Sequence, residues 1–570
     1  MRVVTSLVFF LISSSVMKFE YLLVNSRRTS VVQTPSGPVR GTVLRTVWNG
    51  TKYSAFKGIP YAKPPIGDLR FKPPVPIEPW RKLLNAYQEG NVCPQLDEMS
   101  NEVIGQEDCL YLNVFTRERG FKNRLNLRPV MVWIHGGAYQ TGYSNSSLYG
   151  PDFFLEEDVV FVSFNYRLGV FGFLALNHSD ATGNAGLKDQ NLVLRWVQSN
   201  IAAFGGDPKQ VTIFGESAGS TSVGFHVLSE KSRGLFLRSI SMSGTPLCPW
   251  AYFTPEEMIA NARQLASILG IVHANNDHLL NRLRETPAAK LVEATLQVSS
   301  DFLPFRPTIE NPSVDHTNST FLTECPITKY HNGDFYHHPM MLGFTHNETI
   351  LFLSSSMEMR NTIAWVKNYL KNIITRYHNI PADLTNHVTR QISSINCGNF
   401  ETLTKLAMKI FFSGPIDLTQ RLLSKNNSDF PIYYYRLSYQ TKYSMHRLEN
   451  IPLNGTAHFD DVGYIFNAKS LHAPTDPNDT FNQFRKKMVS LWANFAKYGN
   501  PTPRNSCRSA YDVTWINSVN HGFQLDINSN LTMYTRLIDK DTKIYEKYLN
   551  SLLPLICSYV HKSVNCTNTF

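Results

Sequence analysis

Uninterrupted apolar runs mark the middle of this chain. Val130 to Ile134, Val159 to Phe164, Val211 to Phe214, Met340 to Gly343 and Ile432 to Leu437 are mostly apolar without alternation, and Ile240 to Ser243 continues the series with two serines. Strands of that kind are buried on both faces. Stretches with helical spacing lie between them. Leu187 to Phe204 carries apolar side chains at Leu192, Leu194, Trp196, Val197 and Ile201, and Ala218 to Leu228 reads as another helix. Gln483 to Tyr498 is amphipathic and is stopped by Gly499-Asn500-Pro501. Strands alternating with helices predict an α/β architecture, a mostly parallel central sheet with helices on both faces. Nearer the N-terminus, Val31 to Ala55 reads as strands with turns at Pro35-Ser36-Gly37 and Asn49-Gly50, predicting a small antiparallel sheet. Proline-rich Pro60 to Pro79 reads as irregular surface.

Chemistry enters at Gly215-Glu216-Ser217-Ala218-Gly219, which joins the strand ending at Phe214 to the helix beginning at Ala218. Glycines on either side of a serine permit a sharp strand-to-helix turn that lifts the hydroxyl above the sheet. A serine hydroxyl needs a base to take its proton, and the base needs an acid. His135-Gly136-Gly137-Ala138 follows directly on the strand ending at Ile134. Glycines there let backbone N–H groups approach a developing oxyanion, and the expected donors are Gly136, Gly137 and Ala218. Glu348 sits in a loop after Met340 to Gly343, and His458 in the small-residue loop Asn454 to His458. Ser217, Glu348, His458 is the order serine, acid, histidine of α/β-hydrolases. His346 reads as a loop histidine and His337-His338 as surface.

The 570 residues are 42% hydrophobic and 18% charged, an ordinary globular composition with no linker or repeat. One catalytic domain over 27–570 is expected. The net charge of +10 is dispersed and forms no nucleic-acid site. Residues 1–26, with Arg2, the apolar run Val3 to Ile12 and small residues after it, read as a secretory signal, a short signal anchor being the alternative. No later stretch is long and apolar enough to span a bilayer. Secretion favours disulfides, and Cys93 and Cys109 flank an acidic loop and are expected to pair. Cys248, Cys325, Cys397, Cys507, Cys557 and Cys566 have open pairings, Cys557 with Cys566 being preferred. Sequons stand at Asn49, Asn145, Asn177, Asn318, Asn347, Asn426, Asn454, Asn478, Asn530 and Asn565.

The chain resembles the type-B carboxylesterases of the cholinesterase–carboxylesterase family over nearly its whole length. The resemblance rests on Phe56-Lys57-Gly58-Ile59-Pro60-Tyr61-Ala62, Gly67-Asp68-Leu69-Arg70-Phe71 and Glu107-Asp108-Cys109-Leu110-Tyr111-Leu112-Asn113-Val114. Asn165-Tyr166-Arg167-Leu168-Gly169-Val170-Phe171-Gly172, Gly186-Leu187-Lys188-Asp189-Gln190 and Phe204-Gly205-Gly206-Asp207-Pro208 extend it. It implies an α/β-hydrolase sheet of eight or more strands, the triad and oxyanion donors named above, and the Cys93–Cys109 bridge. It also implies buried pairs Arg70–Glu107 and Arg167–Asp189. Glu216 and Ser243 match positions behind the triad, and Trp250, Leu303 and Phe305 match the acyl pocket. No metal or cofactor is implied, and the partner is a small-molecule ester.

Departures narrow the resemblance. The loop closed by Cys93 and Cys109 is short and lacks the tryptophan on which cholinesterases seat a choline cation. Juvenile-hormone esterases usually carry Gln where Glu216 stands. Adhesion relatives usually lose a triad residue and gain a membrane span, and neither is seen. The Ala457-His458-Phe459-Asp460-Asp461 stretch resembles insect carboxylesterases of detoxification or odorant clearance. A secreted serine carboxylesterase is therefore expected, with a non-catalytic adhesion or binding protein as the alternative.

One sequon conflicts with this reading. Thr349 stands where the family usually has glycine, creating Asn347-Glu348-Thr349. A glycan needs an exposed loop, whereas an acid beneath His458 needs a water-poor one. Glycopeptide mass spectrometry of active secreted protein is expected to find Asn49 occupied and Asn347 bare. High occupancy at Asn347 would move the acid role to Asp334 or Glu324.

Overall fold

The computed structural model describes residues 28–97, 100–121, 126–272, 275–298, 303–353, 400–427, 429–448, 454–503 and 513–536, with scattered helical positions between 360 and 393. The expected leader 1–26, the sequon Asn565 and Cys397, Cys507, Cys557 and Cys566 lie outside these residues.

An eleven-stranded sheet forms the centre. Its strands are β1 (Thr42–Arg45), β2 (Lys52–Pro60), β3 (Tyr111–Thr116), β4 (Arg128–Ile134), β5 (Val160–Phe164), β6 (Gly206–Glu216), β7 (Arg238–Met242), β8 (Met340–Thr345), β9 (Ile432–Leu437), β10 (Gln524–Ile527) and β11 (Leu531–Tyr534). Their spatial order is β11-β10-β9-β8-β7-β6-β4-β5-β3-β2-β1. Strands β4 to β10 run parallel, with antiparallel strands at both flanks. A smaller sheet joins Val32–Thr34, Gly37–Arg40 and Leu84–Asn85.

The apolar runs follow from two cores. Along β4, Val130, Val132 and Ile134 enter one core while Met131 and Trp133 enter the other. Strand alternation sends successive side chains to opposite faces, so a strand covered on both sides is apolar on both. The first face receives Leu187, Val193, Leu194 and Val197 of helix α1 (Ala185–Asn200), together with helix α2 (Ala218–Leu228). Helix α3 (Asp460–Ile465) and helix α4 (Thr480–Tyr498) lie over the second face, α4 contributing Phe484, Met488, Trp492 and Phe495.

Several boundaries differ from the pattern-based reading. Helix α4 begins at Thr480 because Asp479 Oδ1 accepts the Phe481 N–H at 2.8 Å and caps it. Helix α1 ends at Asn200, and Ile201–Phe204 tightens into a 3₁₀ turn that closes on Gly205 at φ 84°. The Asn49-Gly50 turn joins β1 to β2, so this hairpin is the edge of the main sheet. The β10–β11 hairpin was not anticipated, since Asp526 and alternating exposure in β11 break the apolar run. His338 is buried, contrary to the surface expectation, because Ser239 Oγ lies 2.8 Å from its Nε2 and Tyr336 stacks on its ring.

The expected ion pairs form. Arg167 grips Asp189 in a bidentate pair, Nε–Oδ2 2.8 Å and Nη2–Oδ1 2.6 Å, with both side chains buried. Arg70 pairs with Glu107 and also donates to the carbonyls of Leu283, Arg284 and Thr286, tying the N-terminal segment to a helix end. Cys93 and Cys109 form a disulfide, Cys325 is also disulfide-bonded, and Cys248 is free and buried.

Candidate active site

The carboxyl ends of the parallel strands converge because the sheet holds them in register. Glu216 of β6 lies opposite Met242 of β7, which lies opposite Gly343 of β8, which lies opposite Tyr435 of β9. The residues that follow this row leave the sheet along one edge.

Ser217 is first among them. Its backbone stands at φ 58°, ψ −122°, a conformation that side-chain-bearing residues rarely adopt. The flanking glycines make that turn possible. A Cβ at Gly215 would come within 2.6 Å of Gly219 backbone and of the Ile134 carbonyl, and one at Gly219 would overlap the same carbonyl. The Ser217 N–H is anchored on the Met242 carbonyl at 2.9 Å.

His458 and Glu348 meet the serine in one line. His458 Nε2 is 2.7 Å from Ser217 Oγ, and its Nδ1 is 2.6 Å from Glu348 Oε2. Glu348 is fully buried, and its other oxygen accepts the Thr345 N–H at 2.6 Å. Phe412 packs on the imidazole with ring centres 5.0 Å apart. The asparagine of the contested sequon is half-buried, its N–H bound to the Thr456 carbonyl in the His458 loop.

Three carboxyl groups surround this one imidazole. Glu216 Oε1 stands 3.2 Å from His458 Nε2, and Asp461 is buried with both oxygens lacking a hydrogen-bond partner. Burial opposes charge on His458, but Glu216, then Glu348, then Asp461 outweigh it and raise its pKa. Glu216 is also raised, by burial first and further by Glu348, while His458 works in the other direction. Asp461 is held well above the ordinary carboxylate range by burial, then by Glu216 and Glu348, which favours the protonated acid. Asp461 follows the His458 loop by three residues, and its place beside Asp460 after that loop is the signal the sequence carries.

The glycine loop lies against Ser217. A Cβ on Gly136 would come 2.8 Å from the Glu216 carbonyl and 3.2 Å from Ser217 Cβ, so no side chain fits. Gly137 takes φ +102° and its carbonyl accepts the N–H groups of Gln140 and Thr141. His135 is buried under Tyr166, with its Nδ1 2.8 Å from the Gly136 carbonyl. Burial lowers its pKa to about 4 despite that contact, so it is neutral at physiological pH. Ala218 opens α2, where first-turn N–H groups have no intrahelical partner. Ser243, at φ 61°, is buried behind the serine turn and its hydroxyl has no protein partner.

A cavity of about 540 Å³ opens above Ser217 and His458. Among the described residues it is lined by apolar and uncharged polar side chains, with His458 the one titratable group. Trp250 lines it, and Leu303, 37% exposed, lines it as well. Phe305 does not; its side chain is buried in the core, and its carbonyl accepts Gln140 Nε2 at 2.6 Å. Phe411 and Phe412, missed in the sequence, line it instead. They lie in a π-helical stretch, Lys409–Ser413, which widens the turn and brings neighbouring residues to one cavity. Trp250 Nε1 donates to the Phe411 carbonyl at 2.8 Å and fixes that stretch. The Phe-Phe-Ser-Gly-Pro run was its only sequence mark.

The remaining sequons fall at the surface or near it. Asn49, Asn177, Asn318, Asn454, Asn478 and Asn530 are exposed, and Asn145 and Asn426 are half-buried. The Asn426 amide donates to the Tyr330 carbonyl at 3.1 Å.

Comparison with known proteins agrees with this geometry. Residues 28–545 match the model of the carboxylesterase family. A carboxylic ester hydrolase of Bombus ignitus is 35% identical over 509 residues, covering 85% of this chain and 87% of that protein. Esterase E4 of Myzus persicae is 34% identical, covering 85% and 89%. Among solved structures, juvenile hormone esterase from Manduca sexta with OTFP covalently attached superposes with a TM-score of 0.81 at 29% identity, over 92% of this chain and 99% of that one. The chain belongs to the carboxylesterase family and is a carboxylic ester hydrolase.

Proposed function

We propose that Ser217, His458 and Glu348 are the catalytic triad of a secreted serine carboxylesterase acting on neutral, lipophilic esters. The observation that carries this reading is the unbroken Ser217–His458–Glu348 chain at the floor of a cavity whose described lining, His458 apart, is apolar or uncharged polar. Ser217 Oγ attacks the ester carbonyl as His458 Nε2 takes its proton. The N–H groups of Gly136, Gly137 and Ala218 receive the oxyanion. His458 returns the proton to the leaving alkoxide, and the acyl group stays on Ser217. Water deprotonated by His458 then releases the acid. The negative field of Glu216 favours the imidazolium that forms in both steps. Secretion is supported by the leader-like residues 1–26 and by six exposed sequons.

The substrate reading rests on the lining. The disulfide loop gives Pro94, Gln95 and Leu96 to the cavity, none with an aromatic face for a quaternary ammonium. A cation beside that loop gains from it none of the cation–π attraction of about 0.5–2 kcal/mol that an aromatic residue would supply. Each methylene buried against the apolar lining contributes about 0.8 kcal/mol, or roughly fourfold in kcat/KM. A panel of neutral esters should show this rise with chain length until the cavity is filled, and choline esters should do no better than neutral esters of equal size. A flat series, or a choline preference blocked by quaternary ammonium ligands, contradicts the reading.

The carboxylate cluster yields a pH test. Removing the charge of Glu216 destabilises the imidazolium and lowers the His458 pKa. The neutral base then persists to lower pH. The acid limb of the Glu216→Gln kcat/KM profile is expected below that of the wild type, and an unmoved limb contradicts Glu216 as a source of the raised pKa.

A further inference from the structure

Asp460, two residues beyond His458, is wholly buried, and so is the histidine paired with it. His446, in the turn Met445–Leu448, places Nδ1 2.8 Å from Asp460 Oδ2 and donates its backbone N–H to Oδ1 at 3.1 Å. A carboxylate acceptor fixes Nδ1 as the donor. Asp460 Oδ2 also accepts the Ala457 N–H at 2.7 Å, while the Asp460 N–H donates to the Ala457 carbonyl at 3.2 Å. The four-residue turn that carries His458 is thus closed by Asp460 at both of its ends.

That turn needs holding. Phe459 stands at φ 73°, in the left-handed region, strained for a residue with a bulky side chain. Such a conformation persists only where its surroundings over-determine it. Here it sits between His458 and Asp460, and the Phe459 backbone works to lower the Glu216 pKa. Upstream of His458 the loop is fastened by Thr456 Oγ1 to the Tyr439 carbonyl and by the Asn347 N–H to the Thr456 carbonyl. Downstream, the Asp460 clasp completes the hold. A buried carboxylate is costly unless its oxygens are paired, and His446 supplies two of the donors that pair them. His446 does not line the cavity.

We propose that His446 is a positioning residue for ester hydrolysis: through Asp460 it holds the His458–Phe459 turn so that His458 Nε2 stays in line with Ser217 Oγ. The proposal rests on the reading of Ser217 as nucleophile and His458 as base. Its consequence is a defect in turnover without a defect in substrate binding, since displacement of a reacting group by about an ångström costs up to roughly 100-fold.

The test compares His446→Ala and His446→Asn with the wild type on a neutral ester. A fluorophosphonate first titrates reactive serine in each preparation, and kcat is expressed per titrated site. His446→Ala is expected to lose roughly tenfold to 100-fold in kcat with KM nearly unchanged. His446→Asn, whose Nδ2 can stand near the former Nδ1, is expected to recover most of that loss. If His446→Ala gives no folded protein, His446→Leu, which also lacks a donor, is read by the same criteria. A His446→Ala kcat per titrated site within twofold of wild type overturns the clasp alone, as does equal loss in the alanine and asparagine variants. A wild type that turns over without titrating at Ser217 overturns the nucleophile reading, and this proposal with it.

Discussion

The hydrogen bond between the buried Glu348 carboxylate and His458 Nδ1 is the contact on which the site depends. It fixes the imidazole so that Nε2 faces Ser217. In a water-poor setting its charge is felt strongly, and so are those of Glu216 and Asp461 nearby. Three carboxyl groups around one imidazole cannot all be ionised cheaply. The structure resolves this by inequality. Both Glu348 oxygens accept direct hydrogen bonds, from His458 and from the Thr345 N–H, whereas both Asp461 oxygens lack a partner. Asp461 is accordingly pushed toward its neutral acid, and His458 toward its charged form.

The sheet exists, in functional terms, to make that contact repeatable. Register across β6, β7, β8 and β9 sets Glu216, Met242, Gly343 and Tyr435 in one row. Close packing then dictates composition at the row's edge. Tyr435 lies against Gly343, where a Cβ would meet its ring, and Gly136 lies against Glu216 and Ser217. The apolar strands and the two cores that cover them supply the rigidity, since close-packed interiors deform little. Three strained left-handed residues, Ser217, Ser243 and Phe459, sit along this edge, where surrounding contacts hold them.

What could be read from sequence divides along physical lines. Ser217, Glu348 and His458 were legible because each follows an apolar strand or a glycine-rich turn and because their order along the chain is restricted. Helix α2 and the strands leading to it were legible because burial on both faces removes ambiguity from the pattern. The sequence was silent where a side chain's meaning depends on distant partners. His338 read as surface because nothing local reveals Ser239 beside it. Phe305 and Phe412 are both apolar, and only the three-dimensional path of the chain assigns one to the core and the other to the cavity. His446 lies twelve residues before His458, and nothing in that interval announces the buried bond to Asp460.

The central claim is that acyl transfer passes through Ser217, driven by His458 under the control of Glu348. Its most direct test is to quench the enzyme during turnover of a neutral ester, digest it, and locate the acyl group by mass spectrometry. The account predicts the acyl mass on the peptide bearing Ser217, and a Ser217→Ala variant with neither adduct nor turnover above about 10⁻⁶ of wild type. An acyl group on another residue, or turnover near the wild-type rate in Ser217→Ala, would contradict it.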